Sequence, residues 1–327
     1  MKAAQIENSI LVVREREKEE LNSRKGAIVK VLGCGLCGSD IVKLKHNLAK
    51  EGTVLGHEIV AQIVDINSDT EFKNGDIIIT SHHIPCGKCE YCKNGNVSMC
   101  RHFKETNIKP GGFSEFVYVS EEHLKNVAHL KPENLTNEEA AFYEPLGCCV
   151  RAIHRASLNQ DSTALVIGLG SIGILMAQAL NAYGIKVIGC DLITSRVNLL
   201  KKLGIEAFNV NEMCESIKAD GIFMTSGSDK AIPTALKYVR DGGKILVFSS
   251  TPQNFGYQNN EIYYRELTVL GSYSPSPKDL KESLELLTTK QVKVAGLSDI
   301  YPLEQIQKAI NDTIENKILK AYIKINE

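Results

Sequence analysis

The chain has 327 residues, 43% of them apolar and 24% charged, with 38 Lys plus Arg against 39 Asp plus Glu. That is about two domains' worth of sequence at roughly 150 residues per domain, and its apolar content excludes a disordered chain. A net charge of −1 gives no electrostatic reason to expect nucleic acid or an anionic membrane as partner, and Glu7 and Asn8 fall where an export signal would be apolar.

Short β-rich runs come first. Segments 27–32, 59–66, 76–80 and 113–119 are β-branched stretches bounded by Gly, Asn or Asp, which predicts strands. The charged run 14–20 reads as a solvated loop. At Asn137-Glu138-Glu139 the texture changes to a capped helix start, predicted to continue through Glu144 to about residue 156. Strands at 164–167, 186–190, 221–225, 244–249 and 267–272 then alternate with helices at 172–182, 194–202 and 231–239, the pattern of a doubly wound parallel sheet. Helices at 279–289 and 303–311 and a strand at 321–325 close the chain. Residues 162–185 form 24 uncharged positions, long enough for a membrane span. Four glycines with Gln178 and Asn181 instead divide that stretch into strand, turn and helix.

Gly168-Leu-Gly170-Ser171-Ile172-Gly173 sits between a predicted strand and a predicted helix. Gly168 permits a tight turn, Gly170 lets the backbone approach a pyrophosphate, and Gly173 allows close helix–sheet packing. The N–H groups at the helix start face the phosphates. Asp191, about 20 residues on at the end of the next strand, is placed to hold ribose hydroxyls and to repel a 2′-phosphate, so NAD is expected over NADP. Arg196 is a candidate for the adenine side.

Ten cysteines, clustered and without an export signal, point to metal sites in a reducing, cytoplasmic setting rather than disulfides. Cys86, Cys89, Cys92 and Cys100 are spaced x2, x2 and x7, a closed soft-ligand set suited to structural Zn(II). A ferredoxin-type cluster would continue with x3-Cys-Pro, and here x7 and Arg101 follow. Cys37-Gly38-Ser39-Asp40, Gly56-His57-Glu58 and Glu144 offer a thiolate, an imidazole and carboxylates. Three such ligands with one open position make a catalytic zinc site.

In this order, the Gly35-to-Asp40 turn, Gly56-His57-Glu58, the four-cysteine lobe, Glu144-Pro145-Leu146 and the glycine fingerprint resemble the medium-chain zinc-dependent alcohol dehydrogenases over essentially the whole chain. Glu144-Pro145 in place of a cysteine resembles the polyol branch, typified by sorbitol dehydrogenase. The resemblance implies an α/β fold: a partly open, GroES-like β catalytic domain (1–137 plus 275–327) interrupted by a doubly wound Rossmann domain (138–274). It implies two zinc ions per chain, NAD, hydride transfer from a secondary alcohol, and a homodimer or homotetramer.

Carried over by residue, the resemblance makes Cys37 and His57 zinc ligands, with Glu58 and Glu144 ligating directly or through water. Ser39 would relay the substrate's proton and Asp40 would orient His57. Lys320 matches a basic position near the cofactor phosphates and the acid after the histidine. Val42 stands where many relatives have a relay histidine, and Lys43 and Ser274-Pro275 replace polyol-pocket residues. Sorbitol itself is therefore not implied, and Lys43 suggests an anionic substrate such as a sugar-alcohol phosphate. Amino-alcohol oxidation resembling threonine dehydrogenase is a second reading. A zinc-bound NAD-sensing or structural protein is a third, against which Cys37 and His57 both stand.

Overall fold

The computed structural model describes residues 1–250, 256–257 and 259–327. The chain divides into two compact units, one of residues 1–144, 276–288 and 294–327, the other of residues 145–275 and 289–293.

The first unit opens with the strand pair β1 (Lys2–Glu7) and β2 (Ile10–Glu15). It continues through β3 (Gly26–Gly35), β4 (Glu58–Asn67), β5 (Ile77–Thr80), β6 (Phe116–Ser120) and β7 (Ala128–Leu130). The second unit carries β8 (Thr163–Ile167), β9 (Lys186–Asp191), β10 (Glu206–Asn209), β11 (Ala219–Met224), β12 (Val239–Val247) and β13 (Thr268–Gly271). The chain then returns to the first unit with β14 (Asp299–Pro302) and β15 (Ala321–Lys324).

The first unit's larger sheet runs β14-β15-β3-β4-β5-β7, with β6 also pairing β3. Val29, Val31, Ile59, Ile63, Val117 and Ile323 meet in its core. The sheet of the second unit is wholly parallel in the order β10-β9-β8-β11-β12-β13. That is the 3-2-1-4-5-6 order of a dinucleotide-binding sheet. Its inner strands β8, β9 and β11 are almost wholly buried, as in a sheet covered on both faces by crossover helices, and Leu165, Ile188, Ile222 and Ile245 of the strands meet in one core cluster. Residues 162–185, with no charge, divide into β8, a turn and the helix Ser171–Ala182. No helix among the described residues is long and apolar enough to cross a membrane.

Two expectations are corrected. The helix read from 137 to about 156 is two helices, Asn137–Ala140 and Tyr143–Ala156. Pro145 has no N–H and its ring would strike the carbonyl four residues back, so it fits only in a first turn, which forces a fresh start at Tyr143. The first helix has a capping box, Thr136 Oγ1 accepting from Glu139 N and Glu139 accepting from Thr136 N. The first unit also extends to Glu144, past the expected edge at 137. Tyr143 ties these residues in, its hydroxyl donating to Val127 O (2.9 Å) and its carbonyl accepting from Ser283 Oγ (2.9 Å). Residues 289–293 go with the second unit, where Gln178 bonds the backbone of Lys293 twice.

Candidate active site

Sheet register assembles the first constellation. In the antiparallel β3–β4 pair, Gly35 lies opposite Glu58 and Cys34 opposite Ile59. Cys37, just past the end of β3, is thereby brought beside His57, just before β4. On the other side of β3, Tyr322 of β15 lies opposite Gly35, which brings Lys320 to the same end. A Cβ at Gly35 would fall on the Glu58 carboxylate, so only glycine leaves room for that acid.

Donor atoms of Cys37, His57 and Glu58 all lie within 4.8 Å of one another. Ligand atoms around tetrahedral zinc lie about 3.5 Å apart, so a small inward adjustment suffices. Asp40 is fully buried, with Oδ1 3.6 Å from His57 Nδ1 and Oδ2 accepting from Cys37 N at 3.3 Å. That contact turns His57 Nδ1 toward Asp40 and leaves Nε2 for a metal, the usual carboxylate–histidine arrangement. Burial opposes a charge on His57, but Asp40 and Cys37 outweigh it and hold its pKa well above the ordinary value. The pocket thus favours a cation. Glu58 Oε1 and Asp40 Oδ1 are buried with no hydrogen-bond partner. A thiolate, an imidazole and a carboxylate with unsatisfied oxygens suit zinc.

Cys37 caps the helix Gly38–Lys45, its sulfur accepting from Ser39 N at 3.4 Å. Ser39 is exposed on the first turn and Lys43 is half-buried on the second. Glu144 is buried at the start of the helix Tyr143–Ala156, and its carboxylate does not join the three-residue set. Glu58 is engaged instead by Lys320, whose ammonium lies 2.6 Å from Oε2 and also donates to Leu36 O.

Sequence reasoning missed His82 and His83, which follow β5. The His82 ring lies 4.5 Å from the His57 ring and 3.9 Å from that of His83. Burial, reinforced by the charges of His57 and Lys43, pushes His82 well below the usual histidine pKa and His83 down to about 4. The available signal was two adjacent imidazoles at a strand end just ahead of the cysteine lobe.

In that lobe the thiols of Cys86, Cys89, Cys92 and Cys100 lie within 4.8 Å of one another. Cys89 Sγ and Cys92 Sγ are 3.6 Å apart, close to the spacing of two thiolates on one zinc. Backbone N–H groups of Cys86 and Cys89 point at Cys100 and Cys86 sulfurs. Burial opposes charge on Cys100, but the backbone of Cys86 and Phe103 holds its thiol down to about 6. Cys92, with burial and Cys89 both opposing, is pushed up to about 12. A divalent ion held here would displace the protons of these thiols and take all four sulfurs as thiolates.

In the second unit, β8 ends at Ile167 and the helix Ser171–Ala182 begins with Gly170 as its cap. Gly168 has φ +95°, and a Cβ on Gly173 would collide with Gly168 O. Ser171 and Ile172 supply the helix's first N–H groups. Among the described residues nothing stands within 4 Å of a Cβ at Gly170, which leaves that face room for a phosphate. Asp191 ends β9, where Oδ2 accepts from Leu169 N (2.6 Å) and Oδ1 from Ile193 N (2.8 Å). A carboxylate has about four acceptor sites, so it can brace the glycine turn and still bind a ribose. Arg196 lies 3.7 Å from Asp191 Oδ2.

Residues 23–129 match the family described as alcohol dehydrogenase GroES-like domain, and residues 171–289 the one described as zinc-binding dehydrogenase. The chain is 30% identical over 320 residues to D-arabitol-phosphate dehydrogenase of Enterococcus avium, covering 91% of this chain and 90% of that one. It is 30% identical over 330 residues to sorbitol dehydrogenase of Halalkalibacterium halodurans, covering 94% of each. Galactitol-1-phosphate dehydrogenase from Escherichia coli superposes with a TM-score of 0.86 at 25% identity, over 99% of this chain and 100% of that one. With the sheet orders and both ligand sets, these similarities lead to one conclusion: the chain belongs to the medium-chain zinc-dependent alcohol dehydrogenases, in their polyol branch, as an NAD-dependent oxidoreductase of secondary alcohols.

Proposed function

We propose that this enzyme oxidises a sugar-alcohol phosphate to the corresponding ketose phosphate. The observation that carries the phosphate is Lys43. It is half-buried on the helix that begins at Cys37, and its ammonium has no ion-pair partner among the described residues. Two relatives, from Enterococcus avium and Escherichia coli, are named for phosphorylated sugar alcohols, which supports the reading.

In this proposal Cys37, His57 and Glu58 hold the catalytic zinc, Glu144 reaches it through water, and Cys86, Cys89, Cys92 and Cys100 hold the structural one. Zinc, when bound, supplies Lewis acidity that lowers the pKa of an alcohol. Asp40 fixes the His57 tautomer, and Lys320 steadies the Glu58 carboxylate. Ser39, two residues past Cys37, takes the hydroxyl proton and passes it to water, since Val42 cannot relay it. Gly168, Gly170, Ser171, Ile172 and Gly173 cradle the pyrophosphate of NAD, Asp191 takes its ribose hydroxyls, and Arg196 lies beside its adenine. In this reading the first unit is the catalytic domain and the second the dinucleotide-binding domain, with the boundary near Glu144.

We place the enzyme in the cytoplasm, because two thiolate sets and ten free cysteines need a reducing compartment. A homodimer or homotetramer is supported by β13, which among the described residues pairs only with β12 and around which Tyr263, Tyr264, Val269 and Tyr273 are exposed. Light scattering on the purified protein tests that assembly.

NADH formation over a panel of pentitols, hexitols, their phosphates and L-threonine tests the activity. Turnover of sugar alcohols supports it. Turnover of threonine alone would replace it with amino-alcohol oxidation.

A further inference from the structure

The parallel sheet brings Thr225 to the glycine turn. β8 and β11 are neighbours with Ile167 opposite Met224, so the residues just past their ends, Gly168 and Thr225, lie side by side. Thr225 N and Ser226 N both donate to Ile167 O at 3.1 Å. Ser249 Oγ, just past β12, donates to Ser226 O at 2.7 Å and holds that crossing in place. The fit is close, since a Cβ on Gly168 would come 2.8 Å from Ser226 Cβ.

The Thr225 hydroxyl has one proton to give. Its oxygen lies 3.1 Å from Ile167 O and 2.6 Å from Gly168 O. Ile167 O already accepts from two N–H groups, so the shorter bond, to Gly168 O, is the one the hydroxyl makes. The far end of the same peptide unit is held as well, because Leu169 N donates to Asp191 Oδ2 at 2.6 Å. A peptide unit is planar, so anchoring its carbonyl at one edge and its N–H at the other fixes the whole plane. Without those anchors this plane would turn easily, because Gly168, at φ +95°, has no Cβ to restrict it. Gly173 leaves room for the bond: a Cβ there would strike Gly168 O and come 3.0 Å from Thr225 Oγ1.

The next residue but one, Gly170, caps the helix Ser171–Ala182. The direction of the N–H groups at that helix start therefore depends on the peptide that leads into it. We infer that Thr225 is a positioning residue for the cofactor: together with Asp191 it pins the Gly168–Leu169 peptide, aims the helix-start N–H groups at the pyrophosphate, and couples that seat to the carboxylate that takes the ribose. Thr225 acts through the turn and not by touching the cofactor. This rests on the reading of Gly168 to Gly173 as the pyrophosphate cradle given above.

The test is NADH binding to the zinc-loaded, full-length enzyme by fluorescence titration, with thermal midpoints measured in parallel. Thr225→Val keeps the shape and removes the donor, so the NADH dissociation constant should rise about tenfold. Thr225→Ala should act in the same direction and takes its place if the valine variant does not fold. Thr225→Ser keeps the hydroxyl and should bind NADH nearly as wild type does. Because Thr225 and Asp191 hold two ends of one peptide, the Thr225→Val/Asp191→Ser double variant should lose less than the product of the single losses. Gly170→Val fills the face left for the phosphate and should abolish NADH binding in a folded protein.

A Thr225→Val enzyme that melts earlier yet binds NADH as wild type does would make Thr225 a support of the fold alone, which overturns the inference. A serine variant as weak as the valine one overturns it too, as do single losses that simply multiply in the double variant. In each of these cases the cradle still stands if Gly170→Val has lost NADH. If Gly170→Val binds NADH unchanged, the cradle reading falls and the role of Thr225 falls with it.

Discussion

Lys320 Nζ lies 2.6 Å from Glu58 Oε2, and both side chains are almost wholly buried. Burial opposes the ammonium, but Glu58 and Cys37 outweigh it and raise its pKa above the ordinary value. The two residues are far apart in sequence and meet because β15 pairs β3 on one side and β4 pairs β3 on the other. Lys320→Met leaves the Glu58 carboxylate buried beside Cys37 without its cation. Breaking such a pair by removing one partner costs about 3–5 kcal/mol. Urea unfolding of metal-free protein should show a loss of that order, and a smaller one with zinc bound, since the metal partly replaces the missing charge. A loss under about 1 kcal/mol in both states would mean that water reaches Glu58.

Two zinc ions per chain are expected by metal analysis. Cys37→Ser should leave one ion, a folded protein and no turnover. Cys92→Ser should also leave one ion but lower the unfolding midpoint, because a thiolate cage contributes folding free energy. An iron–sulfur absorption band in the purified protein would refute the zinc assignment for the lobe.

Asp191 is expected to set the preference for NAD. Asp191→Ser should narrow the gap between NADH and NADPH affinities, measured by fluorescence titration. It should also weaken NADH itself, because the same carboxylate accepts from Leu169 N and Ile193 N and shapes the glycine turn. Equal use of NADP by the wild type would remove this role.

Asp220 gives a pH dependence. It accepts from Thr163 N at 2.8 Å and from Arg240 Nε at 2.6 Å. Burial opposes its charge, but these partners outweigh it and hold its pKa below the ordinary carboxylate value. A depressed carboxylate stabilises the fold above its unfolded pKa of about 3.9, and that contribution is lost as pH falls through the folded value. Asp220→Asn should therefore be less stable than wild type at pH 6, with the two converging below about pH 4. Parallel urea midpoints from pH 6 down to pH 3 would show that Asp220 carries no such linkage.

Local chemistry made much of this protein legible in its sequence. Gly168 and Gly173 each answer a nearby steric demand, and the spacing of Cys86, Cys89, Cys92 and Cys100 closes a ligand set through short turns. The helix Thr194–Lys202 falls where its periodicity placed it. The helix from 137 was misread because the break depends on a clash one turn back from Pro145, which periodicity does not record. The strands β10 (Glu206–Asn209) and β14 (Asp299–Pro302) were missed because each holds only two apolar residues, flanked by polar ones or Pro, too little pattern to announce a strand.

What the sequence alone determined was the residue types of both candidate metal sets and the strand–helix alternation of the parallel domain, since these follow from spacing and period. Only the tertiary structure decided which distant residues meet. The registers of β4 and β15 on β3 bring Glu58 to Lys320, the end of β5 lays His82 against His57, and Glu144 stands outside the three-residue metal set. Those contacts join positions separated by up to hundreds of residues. A sheet register and the burial of an unpaired polar atom are properties of packed neighbours, and no local stretch of sequence encodes them.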